Sequence, residues 1–167
     1  MYCPDKDIIT VKDIVVPDYV NYKKPSMFII MPRCSFKCDK ENGNQYCQNW
    51  ELAKKPNIEI SVKRMVEIYL QNKDLVNSVV FGGLEPFDSF NDLRYCISTL
   101  RLNNIDCDCV IYTGYDKNEI EEQLEKLKSY QNIIIKYGRY RPNQKPHRDE
   151  VLGVDLASYN QYAERLC

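Results

Sequence analysis

Three cysteines, Cys34, Cys38 and Cys47, fall in one stretch, CSFKCDKENGNQYCQNW, with Tyr46 beside the third thiol and Gln48-Asn49 directly after it. Thiols gathered this closely in one loop bind metal or do redox chemistry. A structural zinc site wants four ligands that close a tetrahedron. Here the fourth would have to come from a distant cysteine or from His147, the sole histidine. An iron–sulfur cube can instead be held by three thiolates, which leaves one iron open to a further ligand. On the triplet alone the two readings stand level.

The other cysteines narrow the setting. The chain has 8 Cys in 167 residues, and an extracellular disulfide framework would need a secretory context. The segment MYCPDKDIITVKD puts charges where a signal peptide needs its apolar core, and no apolar run approaches membrane-spanning length. A cytoplasmic protein is expected, with no membrane partner. Cys96 and Cys109 sit inside apolar patterns and are expected to pack as small hydrophobes. A net charge of -1 and a pI near 5.9 argue against a basic nucleic-acid binder. With 44% hydrophobic and 28% charged residues, one folded domain over residues 1–167 is expected.

The elements that must carry the loop alternate. PSMFIIMP (25–32) reads as a buried strand, and the cysteine loop follows it directly. Val62, Met65, Val66, Tyr69 and Leu70 mark one face of a helix. NSVVFGG (77–83) is a second strand ending in glycines, followed by Leu84, Glu85 and Pro86. Phe90, Leu93, Ile97 and Leu100 give a second helix, with Asp88 or Ser89 as its N-cap. CDCVIYTG (107–114) is a third strand. Asp116 with Glu119 forms a capping box that opens a helix burying Ile120, Leu124 and Leu127. NIIIKYG (132–138) is a fourth strand. Strands separated by helices imply βαβ units and a parallel sheet. The basic segment 138–150 (Arg139, Arg141, Lys145, His147, Arg148) reads most simply as a solvated loop, and Tyr22 and Trp50 as packing residues. A Ser-His-Asp reading would rest on His147 with no nucleophile motif near it. In parallel α/β sheets ligands gather at the carboxyl ends of strands. Three of these four strands end in the cysteine loop, GGLEPF and YTGY, so the chemistry is predicted along one edge.

In that order CSFKC…YCQN, FGGLEP and YTGY resemble the radical S-adenosylmethionine enzymes. Within them the chain looks most like the small activating enzymes of anaerobic (class III) ribonucleotide reductase. YGRY and ASYNQ (157–161) resemble further elements of that subgroup, so the likeness runs from about Met27 to Gln161. The resemblance implies a [4Fe-4S] cluster on Cys34, Cys38 and Cys47, with S-adenosyl-L-methionine on the open iron. Tyr46 would lie near the adenine, and Asn49 ends a Cys-Gln-Asn that resembles the family's Cys-His-Asn. Gly82, Gly83 and Glu85 would match the turn that receives the methionine amino group, and Tyr112, Thr113 and Gly114 would lie near the adenosine. The chain departs from the family pattern in two places: eight residues, DKENGNQY, separate Cys38 from Cys47, and Leu84 stands between the glycines and Glu85.

The resemblance further implies a fold and an activity. The fold would be an α/β partial (β/α) barrel of mostly parallel strands, open on one side, because a closed eight-stranded barrel takes about 200 residues or more. The activity would be reductive cleavage of S-adenosylmethionine to a 5′-deoxyadenosyl radical, with no catalytic side chain needed beyond the cluster. An open side favours a protein substrate, by resemblance a glycyl radical enzyme such as anaerobic ribonucleotide reductase, with flavodoxin as a reductant. The alternatives are a small radical enzyme acting on another peptide or small molecule, and a non-catalytic zinc-binding module.

Overall fold

Alternation with a period of two organises the central strands, and the computed structural model, which describes residues 7–43 and 49–167 (the side chains of Cys38 and Asn42 excepted), shows both of the faces it builds. The strands are β1 (Ile8–Val11), β2 (Asp13–Asp18), β3 (Ser26–Met31), β4 (Ile58–Ser61), β5 (Ser78–Gly83), β6 (Asp108–Tyr112), β7 (Ile133–Tyr137), β8 (His147–Asp149), β9 (Val154–Leu156) and β10 (Tyr162–Arg165). The helices are α1 (Lys37–Asn42), α2 (Trp50–Lys54), α3 (Val62–Gln71), α4 (Phe90–Leu102) and α5 (Glu121–Leu127). A six-stranded sheet runs β10-β7-β6-β5-β3-β2. Its inner strands β3, β5, β6 and β7 are parallel, and β2 and β10 close the two edges antiparallel. β1–β4 and β8–β9 form small antiparallel pairs.

Odd-numbered residues of the inner strands, among them Met27, Ile29, Val79, Phe81, Cys109, Ile111, Ile133 and Ile135, share one core with the apolar faces of α3, α4 and α5. All three crossover helices therefore cover one face of the sheet. Even-numbered residues, Val80, Val110 and Ile134 with Phe28 and Tyr112 beside them, pack on the other face against Tyr22, Leu152, Leu156 and Ala163. Such two-sided burial explains why these strands read as continuous apolar runs. No helix among the described residues is long and apolar enough to cross a membrane.

The four predicted strands lie where expected, as do the helices between them, and Cys96 and Cys109 are core residues. Ser61 caps α3, accepting from Arg64 N at 3.0 Å. The Asp116–Glu119 capping box is present, on a short 3-10 turn (Lys117–Glu119) that precedes α5. Two expectations are corrected. Leu70 is 45% exposed; it lies about 80° round the helix from Val62, off the buried stripe. The chain enters α4 through a 3-10 turn (Pro86–Ser89), and Ser89 makes no capping bond there. Asp88 does not cap the helix either, because its carboxylate is committed to neighbouring strand ends. The signal could not separate α2, β1, β2, β4 and the strands after β7 from loops, since each is short or, as in β2, only partly buried.

Deleting the side chain of Ile97, which is fully buried, should lower the free energy of unfolding by about 2–5 kcal/mol. Leu70→Ala should change it by no more than about 0.5 kcal/mol. Urea denaturation of the two variants checks the assignment of the helix faces, and equal losses would contradict it.

Candidate metal centre

The parallel register brings the carboxyl ends of β3, β5, β6 and β7 to one edge, and each end carries a residue that ties it to the next. After β3 the chain passes through Cys34, which is half-buried and whose Sγ accepts a hydrogen bond from the Phe36 N–H at 3.3 Å. Phe36 takes the left-handed conformation (φ 54°) and turns the chain into α1, whose first turn contains Cys38. The loop is fastened at both ends. The Phe36 ring stacks on Trp50 with centroids 4.1 Å apart and planes 4° from parallel, and the Trp50 indole N–H donates to Asp39. Trp50 packs as expected, here against the Phe36 ring. Asn49 Nδ2 donates to the Gly83 carbonyl. Tyr46 and Cys47 fall between these two fastenings, in sequence, and lie outside the described residues.

Glu85 joins β5 to β6. Its Oε1 accepts from Thr113 Oγ1 at 2.8 Å and from Phe87 N at 3.0 Å, and its Oε2 accepts from Gly114 N at 2.8 Å. Its own N–H donates to the Arg33 carbonyl at 2.8 Å, next to Cys34. The side chain is 7% exposed, and burial raises its pKa to about 7 against the opposing pull of the Gly114, Phe87 and Thr113 donors. Asp88 completes the junction, accepting from Ser35 N at 2.8 Å and from the Tyr115 hydroxyl at 2.6 Å. Two carboxylates three residues apart therefore hold the ends of β3, β5 and β6.

Arg139 adds β7. Its guanidinium donates to Glu119 at 2.6 Å and pairs with Glu41 of α1 at 3.1 Å and Asp116 at 3.6 Å, with its side chain only 9% exposed. The expectation of a wholly solvated basic segment is corrected at this residue, because three carboxylates draw it inward. Arg148 is exposed, as expected, beside Asp155. Lys37 Nζ sits 4.5 Å above the Tyr115 ring. Cys34, Glu85, Gly114, Tyr115 and Arg139 line one narrow cleft.

The remaining predicted residues have distinct places. Gly83 has φ 82°, and a Cβ there would fall 2.6 Å from Ile30 Cγ2, so only glycine fits this turn. Gly82 and Tyr112 stand together on the face away from the helices, where a Cβ on Gly82 would be 3.2 Å from that of Tyr112. The Tyr112 hydroxyl donates to the Asn21 carbonyl. Leu84 is buried, and Glu85 still reaches the strand ends despite this extra residue. Sequence reasoning missed Asp88 and Arg139 as site residues. The signal for Asp88 was a second carboxylate at i+3 from Glu85; the signal for Arg139 was its place in YGRY (137–140), whereas its charge alone did not set it apart from its loop neighbours.

The donor set can be tested against a cluster. Among the described residues no group of three or more His, Cys, Asp or Glu side chains is gathered to hold a metal ion, so Cys34 would need Cys38 and Cys47 as partners. The Phe36 N–H on Cys34 Sγ suits a thiolate ligand of such a cluster. Residues 26–161 match the 4Fe-4S single cluster domain family. The chain belongs to this family. No curated protein matches it.

The buried carboxylate sets a pH dependence. The folded-state pKa of Glu85, about 7, lies above its ordinary 4.5, so the native state binds the proton more tightly. The stability associated with the protonated form is fully present below about pH 4.5 and is lost as pH rises through about 7, a change on the order of 3 kcal/mol. Urea unfolding from pH 5 to 8 should show this slope in the wild type and a reduced slope in Glu85→Gln. Identical slopes would mean that Glu85 is solvated.

Proposed function

We propose that this protein is a radical S-adenosylmethionine enzyme whose cluster is held by Cys34, Cys38 and Cys47. The observation that carries the reading is the shared cleft: Cys34 lies with Glu85, Gly114 and Tyr115 where three parallel strands end. When bound, a cluster of this type supplies one electron for reductive cleavage of the sulfonium, giving methionine and a 5′-deoxyadenosyl radical. The chain's own residues would bind and orient the substrate. A carboxylate offers about four acceptor positions, and Glu85 gives three of them to Phe87, Thr113 and Gly114. The remaining position suits an ammonium, whose charge would favour the ionised form of a group that burial otherwise keeps half protonated near pH 7. Asp88 would hold Ser35, and with it the Cys34 backbone, in register with that carboxylate. Tyr46, Asn49 and the Tyr112–Gly114 segment would flank the adenosine.

The fold proposed for this activity is a partial (β/α) barrel. Four parallel strands in sequential order, with their crossover helices on one face, support it. The partner proposed is a protein, a glycyl radical enzyme of the anaerobic ribonucleotide reductase kind, with flavodoxin or an equivalent reductant. Exposed Arg148 can contribute to docking, whereas Arg139 is committed to the site.

Anaerobic reconstitution should give about four iron and four sulfide per chain. Alanine at Cys34, Cys38 or Cys47 should abolish the cluster, and Cys96→Ala should retain it. With dithionite and S-adenosylmethionine the protein should form 5′-deoxyadenosine, and a cognate glycyl radical enzyme should then show a glycine-centred doublet in EPR. A cluster without 5′-deoxyadenosine would remove the S-adenosylmethionine reading. 5′-Deoxyadenosine without a glycyl radical would remove only the activating role. A colourless protein with one zinc would remove both.

A further inference from the structure

Two motifs of the sequence, YGRY (137–140) and ASYNQ (157–161), meet beside the candidate centre, and the chemistry proposed above leaves the second without a role. β10 runs antiparallel to β7 with Tyr162 opposite Tyr137, so the turn before β10 lies where β7 ends. There Asn160 Nδ2 donates to the Arg139 carbonyl at 2.9 Å and Gln161 Nε2 to the Gly138 carbonyl at 3.3 Å, and the Ser158 hydroxyl accepts from the Arg141 N–H at 3.2 Å. The Ser158 N–H donates to Gln161 Oε1 at 3.0 Å, which closes the turn on itself, and the Tyr159 N–H donates to Gln144 Oε1 at 2.6 Å. Gly138 (φ 101°) permits this approach, since a Cβ there would fall 3.0 Å from the Asn160 carbonyl oxygen.

The polar side chains of the turn point to its own fastening, and Ser158 and Gln161 are buried. Tyr159, between them, is 86% exposed. Arg141 and Lys145, in the segment fastened to the turn, are exposed too, and neither enters an ion pair among the described residues. Residues 138–148 and 157–161 contain no Asp or Glu. A single exposed tyrosine would be ordinary. Here the tyrosine and two uncompensated cations stand on backbone that is already ordered, which lowers the entropy cost of association. Arg139 joins this surface to the cleft: its carbonyl holds the turn, and its side chain lines the cleft with Cys34 and Glu85.

We propose that Tyr159, Arg141 and Lys145 form a docking platform for an acidic segment of the protein substrate, held beside the cleft. Which protein supplies the segment rests on the enzymatic reading above; the chemistry of the platform does not. The Arg141 guanidinium can receive a carboxylate through two parallel hydrogen bonds, and the Lys145 ammonium can pair with a second. The Tyr159 ring supplies apolar area that becomes buried on contact, and tyrosine is a residue type enriched where partners bind. Nucleic acid fits less well, because its binding draws on many phosphate contacts and the chain as a whole carries a net charge of -1.

The test titrates a fluorescently labelled Glu-rich peptide with the reconstituted protein, reads its anisotropy, and follows 5′-deoxyadenosine formation in the same preparation. The wild type should bind the peptide at low ionic strength and lose about tenfold in affinity at high ionic strength. Arg141→Glu combined with Lys145→Glu should weaken binding by at least about tenfold, and Tyr159→Ala by about fivefold, with 5′-deoxyadenosine formation unchanged. Because all three side chains are exposed, none of these changes threatens the fold. Peptide binding that is absent, or that survives the charge reversal, would overturn the platform. So would tighter binding of an oligonucleotide of equal charge, or a parallel fall in 5′-deoxyadenosine, which would place these side chains in cofactor binding. A wild type that binds the peptide but forms no 5′-deoxyadenosine would remove the enzymatic reading and leave the docking site standing.

Discussion

A carboxylate with almost no access to water sits at the end of β5, and the candidate centre depends on it. Removing a charge from water costs several kcal/mol, and Glu85 offsets part of that cost through three donors, two just after β6 and one in the turn after β5. Hydrogen bonds to a charged group contribute about 1.5–3 kcal/mol each, yet burial prevails and the group titrates at about 7. Loss of any one donor would raise its pKa further. The strand ends are therefore held by a mutual requirement, since Glu85 needs Thr113 and Gly114 as much as they need Glu85.

The cysteine loop is attached to this junction at several points. Asp88 takes the Ser35 amide, Asn49 takes the Gly83 carbonyl, and Arg139 reaches Glu41 in α1. A glycine at position 83 is what lets the β5 end pass so close to Ile30 and Leu52. A loop carrying three thiols could otherwise sample many arrangements, and fixing its entry and exit lowers the entropy lost when a cluster is bound. β6 is buried on both faces and ends at the donors of Glu85, so the core of the sheet fixes part of the candidate centre.

Most of the central fold was legible in the sequence because the inner strands are buried on both faces. Runs such as MFIIM and SVVF have no other stable reading between amphipathic helices. The edge elements β1, β2, β4 and β8–β10 are short or half-exposed, and their patterns do not differ from those of loops. At the site, the legible part was the order of three strand-end motifs, which requires only that parallel strands end on the same side. Long-range pairings were not legible. Charge alone does not distinguish Arg139, which is buried among Glu41, Asp116 and Glu119, from Arg148, which is exposed. Asp88 resembled a helix cap because its true partners, Ser35 and Tyr115, are distant in sequence. Leu70 was misplaced because apolar spacing alone does not fix the width of a helix's buried stripe.

The central proposal is that Cys34, which shares a cleft with Glu85, holds a 4Fe-4S cluster together with Cys38 and Cys47 and leaves one iron for an amino-acid ligand. Mössbauer spectroscopy of protein reconstituted with ⁵⁷Fe, before and after addition of S-adenosylmethionine, tests it directly. The account predicts that one iron of the four changes its isomer shift on addition while the other three keep theirs. A spectrum that S-adenosylmethionine leaves unchanged, with all sites fully thiolate-ligated, would contradict it.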